Sequence, residues 1–506
     1  MARSPREGPR ATPYASAPAQ PTPHPFTGVS ARAAAPNTAP AASVQQAGPK
    51  PPRLEPVLPT RRAIPLATAL ALAGLVGAAT PDRAPDPDAG RRYLLEGDYI
   101  GSGIPIALWR AITFGRPPAP SPIARDAVDP TVPIDMNQFT TPEGAEVVGG
   151  VNCLACHASQ FRGDFVVGMG NSLADWTGSG PDVAPMQALG SVLLREGSAE
   201  RIAFDRFLRG AGALRGATTA PVRGLTPAFR IEEVAAARRD PATLAWTDDP
   251  QFPVADGVVA TDVPAWWGVK KKAALYYNGM GEGDFARLIQ QIGVVMIEDA
   301  HHAELLLDDM RDLLAYIETL EPPRYPGPID RVLAARGEAV FLANCADCHG
   351  TYGAEWTYPT KRVPVDVVGT DPRYAQTILE SGLHDWFNQS WFAADGVTRA
   401  TPELAYVAPP LDGVWATAPY FHNGSVPTLD LVLDSARRPD RWRRSFDSAD
   451  YQLDPPGWRY EEVPPDGVDA KTYDTALPGA GNGGHTFGDD LTDADRRALI
   501  EYLKTL

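Results

Sequence analysis

Hydrophobic periodicity is clearest in the second half of the chain. From Asp330 to Ala343, the apolar residues Val332, Leu333, Val340 and Phe341 recur at helical intervals and predict a helix that runs into the segment after it. From Thr492 to Leu506, Leu499, Tyr502, Leu503 and Leu506 fall on one helical face, and Thr492 with Asp495 gives a capping-box-like start. A third amphipathic helix is predicted over Leu305 to Leu320. Its end, Leu313-Leu314-Ala315-Tyr316-Ile317-Glu318-Thr319-Leu320, matches Leu499-Ile500-Glu501-Tyr502-Leu503-Lys504-Thr505-Leu506, which is an internal repeat. Residues 322–328 are too proline-rich to continue a helix and read as a linker. The expected architecture is mainly α with long irregular loops, in two tandem units at 81–321 and 329–506.

The first eighty residues follow neither period. Residues 1–60 hold 14 Pro and 13 Ala with almost no aliphatic run, a composition that cannot offset the entropy of ordering, so they are expected to be disordered. Residues 61–80 pair Arg61 and Arg62 with the uncharged apolar stretch Ala63 to Ala79, the n-region and h-region of a secretory signal. A retained anchor is the rival, because seventeen apolar residues are marginal for a membrane span. A start near Val57 would make the signal one of ordinary length.

Composition narrows the partners. Of 506 residues, 62 are acidic and 46 basic, a formal charge of -16. Residues 1–80 carry eight basic and two acidic side chains, so the remainder stands at -22. A body this acidic argues against nucleic acid and against an anionic membrane surface. A basic or neutral partner is easier to accommodate.

The only 4 cysteines fall as Cys153-Leu154-Ala155-Cys156-His157 and Cys345-Ala346-Asp347-Cys348-His349, two complete C-x-x-C-H motifs. Cysteines three apart lie on one side of a helical turn, where both sulfurs can form thioethers to haem vinyl groups, and the adjacent histidine is carried under the iron. A thioredoxin-like pair lacks its βαβ context here, and zinc would not require a histidine after each pair. Two covalently attached haem c groups are expected, bound through Cys153, Cys156, His157, Cys345, Cys348 and His349. Haem c is attached outside the cytoplasm, so the protein is expected in the periplasm or secreted.

Each iron then has one face left to assign, and whether that face is filled separates electron transfer from ligand chemistry. His485, in a glycine-rich loop, and His422, in a turn, are the candidates for the C-terminal haem. For the N-terminal haem, His301 and His302 occupy nearly the offset of His485, with Met169, Met280 and Met296 as further candidates. His24 lies in the tail, and His384 completes the set. Trp266 and Trp267 could wall a haem pocket or shorten a path between haems, or serve as core packing. Lys270, Lys271 and Lys272 read as a solvated face or a docking spot.

Beyond the haem motifs, three stretches resemble a known group: Pro419-Tyr420-Phe421-His422-Asn423-Gly424-Ser425, Gly484-His485-Thr486-Phe487-Gly488, and the segment around Trp266-Trp267. They look like the bacterial di-haem cytochrome c peroxidase superfamily, and more narrowly its rubber-oxygenase-like branch, over roughly residues 90–506. The resemblance implies an exchangeable, dioxygen-binding face on the haem of His157, with Trp266 or Trp267 near it. It also implies a C-terminal haem with two ligands, His349 and His485. Three functions are open on this reading: a di-haem electron carrier, a peroxidase reducing hydrogen peroxide, and a dioxygenase cleaving an apolar alkene, with a small redox protein of the cytochrome or cupredoxin kind as the expected electron donor or acceptor.

Overall fold

Four helices form two crossing pairs in the computed structural model, which describes residues 83–506 except 118, 119, 179, 181, 218, 255, 256 and 258. The helix Pro87–Glu96 packs across Ala300–Thr319, and Arg331–Asn344 packs across Asp493–Leu503. Both crossings are made at a glycine. A Cβ on Gly337 would lie 1.9 Å from the Ala498 carbonyl oxygen, and one on Gly90 would lie 1.9 Å from that of Asp312. Asp312 precedes Tyr316 by the interval at which Ala498 precedes Tyr502, so the repeat seen at the helix ends extends to the crossing point. Glycine is used in both pairs because the two backbones approach too closely for any side chain.

The predicted starts hold in detail. The Thr492 side chain accepts from the Asp495 amide at 3.2 Å, and Asp330 accepts from Val332 and Leu333, both at 3.0 Å. Residues 1–80, with the expected disordered tail and signal-like segment, lie outside the described residues.

The fold class needs correcting from mainly α to mixed helix and strand. Short antiparallel strands occupy the stretches expected to be irregular: Ile104–Pro105, Glu146–Val151 and Met136–Thr140 form one three-stranded sheet. Tyr460–Glu462, Arg441–Arg444 and Thr472–Asp474 form another. The hairpin of Ala158–Phe161 and Asp164–Val167 turns at Arg162 and Gly163, both with positive φ. These strands run for two to six residues between turns, too short for an alternating pattern to stand out in a proline- and glycine-rich chain.

The described residues form one compact unit. One apolar core gathers Leu94, Leu307 and Leu313 with Ile378, Trp386 and Phe392. A second core gathers Phe341, Leu499 and Tyr502 with Phe161 and Trp267, so each core draws on residues from both sides of the linker 322–328. Among the described residues no helix is long and apolar enough to cross a membrane.

Candidate functional site

The helix Arg331–Asn344 delivers Cys345 into the tight turn Ala346–His349, closed by the His349 amide on the Cys345 carbonyl at 3.0 Å. The His349 Nδ1–H donates to the Pro409 carbonyl at 2.8 Å, which fixes the ring and leaves the Nε2 lone pair free. Burial lowers the His349 pKa, and the Pro409 carbonyl opposes this.

His485 comes from the opposite side on a loop held at positive φ. Its ring centre lies 6.3 Å from that of His349, with the rings at 60°. Burial, then the neighbouring His349 and Arg438, bring its pKa down to about 4, so it is a neutral imidazole with a lone pair to offer. Arg438 holds this loop: it donates to the carbonyls of Asn482, Gly484 and His485, and to those of Leu431 and Val432 on the other side.

Cys345, Cys348, His349 and His485 line one cavity of about 460 Å³, within the range of sites for organic cofactors. Two imidazole–metal bonds of about 2 Å, with about 1.1 Å from each bound nitrogen to its ring centre, separate ring centres by roughly 6 Å. The His349–His485 spacing meets that requirement, and both cysteines are unpaired thiols on the same wall. The residues fit a haem c held between two histidines.

At the N-terminal motif the His157 amide bonds the Cys153 carbonyl at 2.8 Å, and the Asn152 side chain accepts from the Leu154 amide at 2.8 Å to start the turn. Burial pushes the Cys153 thiol up to about 12 and the Cys156 thiol to about 11, which keeps both protonated. Trp266 stacks on His157 with ring centres 4.6 Å apart and planes at 19°. Its amide is fixed by the Gly168 carbonyl at 2.8 Å. Burial lowers the His157 pKa to about 4. The Pro264 carbonyl pulls the other way, without closing a well-formed hydrogen bond to the buried Nδ1.

Both motif histidines therefore face a proline carbonyl, and the two prolines belong to a repeat that sequence reasoning missed. Pro264, Gly268, Val269, Asn278 and Gly279 correspond to Pro409, Gly413, Val414, Asn423 and Gly424, every pair 145 residues apart. The backbone repeats with the sequence. Tyr276 and Phe421 both sit at φ 70, and the bridges Leu275–Gly281 and Tyr420–Val426 coincide in register. The two loops also grip one another reciprocally. Asp262 N–H donates to the His422 carbonyl at 2.9 Å, and Val407 N–H donates to the Tyr277 carbonyl at 2.7 Å. Equivalent residues meet across this local two-fold relation, as Tyr277 and His422 do at 6.1 Å between ring centres. The signal was a shared P-x-x-x-G-V with Asn-Gly nine residues later, diluted by unlike residues at most other positions.

The remaining candidates separate clearly. His422 lines the same cavity as His349, but its ring stacks on Tyr406 at 4.1 Å, and burial brings its pKa down to about 3. His302 is buried with Nε2 3.5 Å from Asp98, while His301 is exposed. His384 packs in the helix Leu383–Gln389, and Met169, Met280 and Met296 are buried apolar side chains. Trp267 turns the other way from Trp266, lines the cavity of His349 and donates Nε1–H to the Asp412 carbonyl at 2.7 Å. The lysines are not a solvated face. Lys271 is buried on Asp412 and over Tyr352, Lys272 lines the cavity, and Lys270 alone lies outward with Glu321. Chain direction explains this: the segment Trp266–Lys271 winds as a tight helix, so consecutive side chains diverge.

Residues 405–443, which hold Pro409 and His422, match the RoxA-like, cytochrome c-like family. Two uncharacterised proteins of Sinorhizobium fredii (strain NBRC 101917 / NGR234) are similar. One, y4iJ, is 34% identical over 37% of this chain and 41% of its own length. The other, y4iM, is 30% identical over 48% of this chain and 64% of its own length. The chain thus spans less than two thirds of either relative. A solved MauG-like protein associated with microbial copper homeostasis is 19% identical, over 52% of this chain and 79% of that one, with a TM-score of 0.27. The family match covers the segment whose Pro409 carbonyl fixes the His349 ring, and it is in keeping with a haem-binding redox protein.

Proposed function

We propose that the chain is an extracytoplasmic di-haem c-type cytochrome with two haem units, at 81–321 and 329–506. In this reading the haem on Cys345 and Cys348 moves electrons, and the haem on Cys153 and Cys156 is the reactive one. The observation that carries it is the opposition of His349 and His485 across one cavity. Haem iron supplies one-electron exchange, and two protein ligands favour that role over ligand binding.

The chain's own residues do the rest. Pro409 orients His349 through Nδ1, Arg438 fixes the His485 loop, and the mostly apolar cavity wall suits a porphyrin ring. At the other motif, Trp266 fixes the plane of the His157 ring by stacking. Trp267, next in sequence, reaches the cavity of His349, so the two indoles join the surroundings of both motif histidines. This geometry supports a short electron path between the haems.

The second reading is an enzyme, a peroxidase or a dioxygenase, working at the His157 haem. It is favoured by the fate of His301 and His302, which stand near the offset of His485 yet lie one in solvent and one on Asp98. Electron paramagnetic resonance and carbon monoxide binding on the haem-loaded protein test both readings. One low-spin haem and one that binds carbon monoxide is the expected result, and peroxide turnover with a reduced donor then separates peroxidase from oxygenase. Two low-spin haems that refuse carbon monoxide would remove the enzyme readings. Absence of covalent haem would remove the whole proposal.

A further inference from the structure

The Asn-Gly pair near the end of each repeated loop is built twice and used once. Asn278 and Asn423 are both buried, and each side chain bonds its own turn in the same way. Oδ1 accepts from the amide two residues on, that of Met280 at 3.2 Å and that of Ser425 at 3.3 Å. The glycine after each asparagine holds the same left-handed turn, with φ 69 at Gly279 and φ 64 at Gly424. With Oδ1 and the backbone fixed alike, the two loops present their Nδ2 groups alike.

What those groups meet differs. Asn423 Nδ2–H donates to the carbonyls of Gly479 and Gly481, at 3.1 and 2.9 Å. Both belong to the stretch 479–485, which has four glycines in seven residues and ends at His485. Asn278 Nδ2 is buried with no acceptor among the described residues. A buried amide left unpaired is destabilising, so the Asn278 side shows the motif without a loop to hold.

Asn423 and Arg438 divide the histidine loop between them. Arg438 takes the carbonyls of Asn482, Gly484 and His485, Asn423 takes those of Gly479 and Gly481, and none is shared. The Gly481 amide donates to Asp371 Oδ2 at 3.0 Å, and the His485 amide to the Val368 carbonyl at 2.6 Å. A glycine-rich segment has few side chains to pack and much entropy to lose on ordering, so bonds of this kind set its place. Asn423 also stands on the loop of Pro409. The carbonyl that orients His349 and the amide that anchors the His485 loop therefore come from one stretch of chain.

We infer that Asn423 is a positioning residue that sets His485 opposite His349, and that its counterpart Asn278 has no such loop to hold. The inference rests on the haem reading above and adds to it a residue through which the two halves of the repeat become unequal.

Asn423→Asp tests this, because it keeps the acceptor for the Ser425 amide and removes the donor to the loop. Hydrogen exchange at the amides of 481–485 should quicken about 30-fold, the equivalent of two hydrogen bonds worth about 2 kcal/mol together, at about 1.4 kcal/mol per factor of ten. The haem-loaded variant should gain a high-spin component at the C-terminal haem. Added imidazole should return it to low spin, which it would not do for a protein that had merely lost stability. Asn278→Asp, the same change at the equivalent position, should leave the exchange of the loop and the C-terminal spectrum as in the parent. Asn423→Ser, neutral and too short to reach the loop, takes the place of the Asp form should that not fold. Parent-like exchange with a wholly low-spin spectrum in a folded Asn423 variant overturns the inference, as does an equal change in Asn278→Asp. A high-spin component that imidazole leaves untouched also overturns it, since no ligand position would have been vacated. Failure of the parent chain to attach haem at Cys345 and Cys348 is a separate result: it sinks the haem reading, while the exchange comparison still decides whether Asn423 holds the loop.

Discussion

Arg438→Met should detach His485 from its place opposite His349 while leaving the protein folded. The guanidinium uses its five N–H donors on five backbone carbonyls: Nε on Leu431 at 2.9 Å, Nη1 on Asn482 and Gly484 at 2.8 and 2.6 Å, and Nη2 on Val432 and His485 at 3.1 and 3.2 Å. Three of these belong to the histidine loop and two to the segment beneath it. A charged hydrogen bond contributes about 1.5–3 kcal/mol net, but Arg438 is only half-buried and water replaces part of what is lost. A working cost of about 3 kcal/mol follows, roughly two such bonds. That is below the stability of about 5–15 kcal/mol usual for a domain, so the fold survives. Spent on loop opening, it raises the detached fraction roughly 100-fold, at about 1.4 kcal/mol for each factor of ten. The haem-loaded variant should show a high-spin component and carbon monoxide binding at the C-terminal haem, with a lower melting temperature. A wholly low-spin spectrum and an unshifted melting curve would refute the reasoning, since the loop would then be held by something other than Arg438.

Three further outcomes are expected. Gly337→Ala places a Cβ 1.9 Å from the Ala498 carbonyl oxygen and should cost about 1–3 kcal/mol or more in urea unfolding, with Gly90→Ala behaving alike at its own crossing. A loss under about 0.5 kcal/mol in both would show that the helix pairs separate freely. His422 is neutral when folded, with a pKa near 3 set by burial, so unfolding takes up a proton wherever the pH lies between that value and about 6.5. Its contribution is complete above about pH 6.5 and is lost as pH falls through that window, at up to about 1.4 kcal/mol per unit. His422→Phe should flatten the acid limb of stability against pH, and identical limbs in both proteins would count against a buried neutral imidazole. Trp266→Leu removes the indole stacked on His157, so it should lower stability by about 2 kcal/mol and alter the absorption of the N-terminal haem alone. A changed C-terminal haem spectrum would contradict the separation of the two indoles.

The parts legible in the sequence were those with a strict local period or spacing. The helices Arg331–Asn344 and Asp493–Leu503 announced themselves through apolar faces and a cap, and the two C-x-x-C-H motifs through fixed intervals. The helix Pro87–Glu96 did not, because four of its ten residues are charged and its partner contact runs through Gly90, which carries no hydrophobic signal. Short strands went unread for want of length. At the site, His485 was nominated from its glycine-rich loop, but Arg438 was not, since an arginine that binds only carbonyls leaves no motif. Lys271 and Lys272 were read as surface because three consecutive lysines look solvated, and only the diverging directions of a tight helix separate them.

The reciprocal bonds between the 262–279 and 407–424 loops have a consequence for how this chain can be dissected or evolve. Each loop supplies the partner that the other would otherwise need from a second molecule, so the arrangement is that of a symmetric dimer whose protomers share one polypeptide. Either half produced alone would present an amide and a carbonyl with no mate, on a surface shaped to receive its own likeness. Such a fragment should self-associate rather than persist as a monomer. The two halves remain free to diverge in side chains, as Lys272 has from Thr417, only while the backbone that joins them is kept.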